Sequence, residues 1–265
     1  MKAVKIIDAH VHIFPEKIAE KATKSIGSYY GIEMFASGTI EELLRNGEKI
    51  NVYKYIVHST ATKVEQVETI NNFISETQSK YKNFIGFGTL HPELDDVESE
   101  VERIISLGLK GVKLHPDFQG FNIDDPCMMP IYGAIEKKQL PVLIHMGDEN
   151  KDSSTPKRLS NVIKLFPNLT VIAAHFGGYQ MWDDSIEYLV GKNLYFDTSS
   201  TLAILEKEKV TNIIRRHGVE KILFGTDYPM WSHEEELQRF YNLELTDEER
   251  ELILWKNASK LLNLE

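Results

Sequence analysis

The chain has 265 residues, 42% hydrophobic and 26% charged, enough for one large domain with a sizeable core. Forty acidic against 30 basic residues leave a formal net charge of −10. The compact basic cluster Arg215-Arg216-His217 falls at the end of a predicted helix, where cations favour the dipole, so no nucleic-acid partner is expected.

In chain order, the first strand is expected over VKIIDAHVH (4–12). The opening residues lack a stretch of signal-peptide length, and no apolar run approaches a membrane span, so a soluble cytoplasmic protein with no membrane partner is the default. Residues 14–50 form one long insertion, expected as a helical lid. A second strand follows in YKYIVHS (53–59), then a helix in TKVEQVETINNFISE with Val64, Val67, Ile70, Phe73 and Ile74 in one stripe. After FIGFGTLH (84–91), Asp95-Asp-Val-Glu98 resembles a capping box, and Gly108 suits the helix stop. The strands GVKLH (111–115) and PVLIH (141–145) come next. Cys127, the single cysteine, lies between them, excludes an intrachain disulfide framework and reads as an inert thiol. Thr155-Pro156 predicts a helix start. LTVIAAH (169–175), LYFDTS (194–199) and KILFGTD (221–227) complete eight strand candidates, and Thr246-Asp-Glu-Glu249 opens a last helix.

Near-continuous apolar strands read as covered on both faces, as in a parallel sheet. Their alternation with helices predicts an α/β fold, a (β/α)8 TIM barrel, as a single domain over 1–265 with a helical insertion after strand 1 and an extra C-terminal helix. An open doubly wound sheet is the competitor, but no GxGxxG follows the first strand.

Seven of the nine histidines fall at or near the carboxyl end of a predicted strand: His10, His12, His58, His91, His115, His145 and His175. Asp197 and Asp227 end the seventh and eighth. Barrel enzymes build their sites at this rim. His10 and His12 share a strand face, and two adjacent imidazoles in a core are costly unless something binds both. The plainer alternative is that one packs and the other bonds a backbone carbonyl. Asp227, from the strand closing beside the first, can reach the same ion, and His145 lies across the mouth. Three imidazoles and a carboxylate suit zinc, iron, manganese or cobalt better than calcium or magnesium. Such an ion can hold a water and lower its pKa toward neutrality.

The sequence resembles the amidohydrolase superfamily, in its amidohydrolase-related branch of metal-dependent hydrolases and non-oxidative decarboxylases. The resemblance rests on DAHVHIF (8–14), KLHP (113–116), PVLIHMG (141–147), AAHFGG (173–178), YFDTSS (195–200), FGTDYP (224–229) and NASKLL (257–262), in order along the chain. It implies one divalent metal, Zn2+ first with Mn2+, Fe2+ or Co2+ as alternatives, on His10, His12, His145 and Asp227. It makes His175 the acid/base group beside the metal-bound water or substrate. A carboxylated Lys113 bridging two metals is the second arrangement. Otherwise Lys113 and His115 contact a substrate carboxylate or join an interior polar network. Phe14 and Trp231 are expected to wall the pocket, Asp197 to support the site by hydrogen bonding, and the Gly177-Gly178 pair to serve the turn after strand six. His58 and His91 are lesser candidates for substrate contact, and His233, beyond the eighth strand, is read as exposed.

Two reactions fit this ligand set. The first expectation is hydrolysis of a small amide, lactone or ester-like bond by a metal-activated water, with Asp227 accepting its proton; compact rim loops favour it. The alternative is non-oxidative decarboxylation of a small unsaturated or aromatic acid. A non-catalytic metal-binding barrel is the third reading. The partner is a small molecule, with carboxylates among the candidates, and an exposed side of the insertion offers a homodimer contact.

Overall fold

Eight short strands carry the fold in the computed structural model, which describes residues 4–264. They are β1 (Ile6–His12), β2 (Val52–His58), β3 (Phe84–Thr89), β4 (Gly111–Leu114), β5 (Val142–Ile144), β6 (Val171–Ala173), β7 (Tyr195–Asp197) and β8 (Ile222–Leu223). They follow chain order from β1 to β8 in one parallel sheet with helices between them, the (β/α)8 barrel expected. All eight lie within two residues of the predicted runs at their starts. Burial on both faces explains their apolar character: every residue of β3, β4, β5 and β6 is buried.

The chain divides into two compact units, Met1–Val57 with Thr198–Glu265, and His58–Asp197. In the first, the insertion after β1 holds two helices, α1 (Glu16–Tyr30) and α2 (Ile40–Glu48), the second capped by the Thr39 side chain on Glu42 N. β1 is bonded to the segment through and beyond β8: Ala9 N donates to Phe224 O (2.8 Å), Asp227 N to His10 O (3.0 Å) and His12 N to Tyr228 O (2.7 Å). That pairing brings the first and last strand ends side by side.

In the second unit, β3 to β7 pair in parallel register, for example Phe87 with Gly111, Val112 with Val142 and Ile172 with Tyr195. Helices α3 (Val67–Lys80), α4 (Val97–Ser106), α5 (Pro116–Gln119), α6 (Met129–Lys137), α7 (Pro156–Leu165) and α8 (Trp182–Tyr188) alternate with these strands. Thr155 caps α7 as predicted. The cap of α4 falls one residue later than the Asp95 motif suggested, because Asp96 is the residue whose carboxylate reaches Ser99 N, at 3.0 Å.

The first unit ends with α9 (Lys207–His217), α10 (His233–Tyr241), α11 (Asp247–Glu251) and α12 (Asn257–Leu261). Thr246 and Glu249 form the predicted capping box. The expected single last helix is interrupted by a π-helical turn, Leu252–Lys256. There the Ile253 carbonyl accepts from Phe224 N at 3.1 Å, so a bond to the barrel takes the place of a regular intrahelical one.

Candidate active site

β1 presents His10 and His12 on one face, and the residues after β8 bring Asp227 to them. His10 Nε2 lies 3.2 Å from His12 Nε2, and Asp227 Oδ1 is 3.3 Å from each. For ligands about 2.0–2.1 Å from a zinc-like ion, tetrahedral geometry gives edges of about 3.3 Å, so the three atoms fit one face of a metal's coordination shell. His10 is fully buried. Its Nδ1 is 3.1 Å from Ser199 Oγ, a hydroxyl able to accept an Nδ1 proton, while Nε2 faces His12 and Asp227.

A second layer fixes these side chains. Asp8 Oδ1 accepts from His10 N (3.2 Å) and Thr226 N (3.0 Å), and its Oδ2 accepts from Thr226 Oγ1 (2.6 Å), so one buried carboxylate joins the segments that carry His10 and Asp227. Ser200 Oγ donates to Asp227 Oδ2 at 2.5 Å. Neither Ser199 nor Ser200 was singled out as a site residue, although both stand in the YFDTSS motif; nothing in a serine's identity announces which carboxylate or imidazole it will meet. Trp231 donates its indole N–H to Ser200 Oγ at 2.9 Å. Phe14 donates its backbone N–H to Gly38 O, and its ring packs so closely that a Cβ on Gly38 would meet Phe14 Cδ2 at 2.7 Å. The reading of His233 as exposed is corrected: it is fully buried at the start of α10, with Nε2 3.1 Å from Asp8 Oδ2.

The second unit gathers three more of the expected residues. His145, just beyond β5, places Nε2 2.9 Å from Gly147 O. A carbonyl only accepts, so Nε2 carries the proton and Nδ1 is the lone-pair nitrogen. That Nδ1 faces His175 Nε2 at 3.0 Å. Gly147 holds φ +84°, and an added Cβ would lie 2.3 Å from Tyr179 O, so only glycine can present this carbonyl. His115 stacks on both Phe118 and His145, each at 3.9 Å between centroids. Lys113 is fully buried on β4.

His175 and Phe176 both take left-handed φ, +59° and +51°. The turn is pinned by Asp197 Oδ1 accepting from His175 N (2.9 Å), Trp182 Nε1 donating to His175 O (3.1 Å) and Ser185 Oγ donating to Phe176 O (2.6 Å). Asp197 thus supports the turn by hydrogen bonding, as expected, and Gly177 sits at φ +76°. Asp117, which the sequence reading passed over, is buried beside His145, with Oδ2 3.9 Å from His145 Nε2 and accepting from Ser154 Oγ at 2.6 Å. Burial pushes its carboxyl up to about 6. His58 and His91 are buried; His91 Nδ1 accepts from Glu93 N at 3.3 Å, and burial lowers its pKa.

A parallel barrel whose strand ends carry a His-x-His pair beside a carboxylate is the arrangement these residues build. The amidohydrolase family model matches residues 7–264, and the chain belongs to that family, an enzyme of the amidohydrolase superfamily. A curated relative, 2-amino-3-carboxymuconate-6-semialdehyde decarboxylase of Dictyostelium discoideum, is 24% identical over 208 residues, 63% of this chain and 57% of that protein. The chain therefore spans little more than half the length of this relative. Among solved structures, 5-carboxyvanillate decarboxylase from Sphingomonas paucimobilis superposes with a TM-score of 0.78 at 15% identity, covering 99% of this chain and 100% of that one. Dihydroxybenzoic acid decarboxylase from Polaromonas sp. JS666, solved with bound manganese and the inhibitor 2-nitroresorcinol, gives 0.76 at 18% identity, covering 98% and 97%. Among the described residues, His10, His175 and Asp227 offer ligand atoms within 4.8 Å of one another, a group that could hold a metal ion. Among the described residues, no helix is long and apolar enough to cross a membrane.

Proposed function

We propose that this chain is a metal-dependent non-oxidative decarboxylase of a small aromatic or unsaturated acid, in preference to the hydrolase favoured by its compact loops. Loop length bears on substrate size, not on whether water attacks a carbonyl or a carbon receives a proton. The observation carrying the proposal is the convergence of His10, His12 and Asp227 within 3.3 Å, in a family member whose relatives described above are named as decarboxylases.

His145, through Nδ1, is the proposed fourth protein ligand, and His175 the acid/base group. Both assignments rest on their positions just beyond β5 and β6, and the first also on Gly147 holding the opposite ring nitrogen. Imidazoles with one carboxylate put zinc first, with manganese, iron and cobalt as alternatives. A bound divalent ion would supply Lewis acidity toward the substrate's carboxylate or an adjacent oxygen.

His175 delivers a proton to the carbon bearing the carboxylate, with Asp227 the second candidate donor. The carbon–carbon bond then breaks, its electron pair returns to the unsaturated framework, and carbon dioxide leaves; one proton is consumed per turnover. Lys113 and His115 hold the acid, Phe14 and Trp231 bound the pocket, and Ser200 keeps Asp227 oriented.

The test is carbon dioxide release by zinc- or manganese-loaded protein from hydroxybenzoates, carboxyvanillate and aminocarboxymuconate semialdehyde, beside a panel of lactones and amides. Release that disappears in the His175→Ala variant supports the proposal. Lactone or amide cleavage with no carbon dioxide would return the reading to hydrolysis.

A further inference from the structure

We propose that Ser200 is a positioning residue for Asp227 and that Trp231 locks Ser200 into that task; the inference rests on the metal-dependent reading of the site. An indole N–H only donates, so the contact of Trp231 Nε1 with Ser200 Oγ (2.9 Å) has one direction. That leaves the single hydroxyl hydrogen for Asp227 Oδ2 at 2.5 Å, with Met230 Sδ packed alongside at 3.3 Å. The chain of donors therefore runs Trp231 to Ser200 to Asp227. It commits Oδ2 to the protein and turns Oδ1 toward the His10 and His12 nitrogens.

The backbone is strained at both ends of the serine–aspartate bond. Ser200 has φ +50° and Asp227 φ +59°, a region that non-glycine residues enter at a cost. Such strain persists where surrounding structure overdetermines it. Here Trp231 is itself held: the Arg239 guanidinium lies 5.6 Å from its ring centroid, and Arg239 is fastened to Glu236 (2.6 Å) and Glu235 (3.0 Å) on its own helix, α10. The bracing of one metal-facing carboxylate thus extends from α10 to the residues after β7. Trp231 was expected to wall the pocket; its N–H serves this relay.

Cobalt titration of the chelator-treated full chain tests the relay, read by affinity and by the visible spectrum, which reports ligand geometry. Ser200→Gly relieves the left-handed φ and removes the hydroxyl. It should unfold at or above the wild-type temperature without metal, yet bind Co2+ about 10–100-fold more weakly with an altered spectrum. Ser200→Ala should lose affinity comparably, and Trp231→Phe, which keeps the ring but not the N–H, should lose several-fold; these two carry the test if the glycine variant fails to fold. A merely structural serine predicts wild-type affinity and spectrum in Ser200→Gly, and that result would overturn the relay. Wild-type cobalt binding that is insensitive to His10→Ala, or no binding at all, would overturn the metal reading and the relay with it.

Discussion

Glu236 gives a prediction whose magnitude follows from the structure. It lies on α10, fully buried, with Oε1 bound to Arg239 at 2.6 Å. Burial raises its carboxyl from 4.5 to about 7, against the pull of Arg239 and with help from the negative charges of Asp227 and Asp8. A folded pKa above the unfolded one means the native state holds the proton more tightly. The stabilisation is complete below about pH 4.5 and is lost as pH rises through about 7. Linkage with these two values makes the wild type lose roughly 2–3 kcal/mol from this group between pH 5 and pH 8. Glu236→Gln cannot titrate. Whatever fixed cost its amide adds, the stability difference between variant and wild type should move in the variant's favour by about that amount over the same interval. Urea unfolding at half-unit pH steps, in chelator so that metal binding does not add its own linkage, measures it. A difference that stays flat from pH 5 to pH 8 would refute the reasoning.

Other perturbations act on named contacts. If the proposed site holds, His12→Ala or Asp227→Asn should reduce bound zinc from about one equivalent per chain to near zero, read by elemental analysis after dialysis, because the first removes an imidazole and the second the anionic charge from the three converging groups. Gly147→Ala should destabilise by about 3 kcal/mol or more, since the new methyl would meet Tyr179 backbone atoms at 2.3 and 2.5 Å and the position holds φ +84°. Thermal unfolding tests this, and a wild-type midpoint would show that the turn has room. Thr246→Ala should cost about 1 kcal/mol through loss of the capping box on α11, with metal content unchanged.

The barrel was legible because its signal is repetitive: eight apolar runs, each closed by a turn, with histidine or aspartate at the same end. The convergence of His10 and His12 was legible for a related reason, since residues two apart on β1 must share a face. What escaped was tertiary. Asp117 looked like an ordinary surface acid after KLHP, and only the fold shows it buried beside His145 under Ser154. His233 read as exposed because it lies just beyond the eighth strand, yet its ring Nε2 is 3.1 Å from the buried Asp8 carboxylate. The π turn at Leu252–Lys256 left no mark in a pattern that fits one regular helix, and the hydrogen bond that accompanies it comes from Phe224, 29 residues earlier than Ile253.

The strained residues join these observations. Among the described non-glycine residues with left-handed φ, Asn51 and Asn263 are asparagines, a residue type that tolerates this region. Gln139 and Gln180 also take it, and His175, Phe176, Ser200 and Asp227 do so just after barrel strands. At roughly 1 kcal/mol or more apiece, they draw on a stability margin that is small for any domain. Each carries bonds that a relaxed turn would not align: Asp197 and Trp182 on the His175 backbone, Ser185 on Phe176, and the short hydroxyl bond between Ser200 and Asp227. Strain placed where two candidate catalytic groups leave the sheet fits a role in orienting their side chains. Replacing His175 or Asp227 by glycine should therefore raise the unfolding temperature of the metal-free protein while abolishing turnover. A lowered temperature in both variants would mean that the left-handed turns are held for the fold, not for the chemistry.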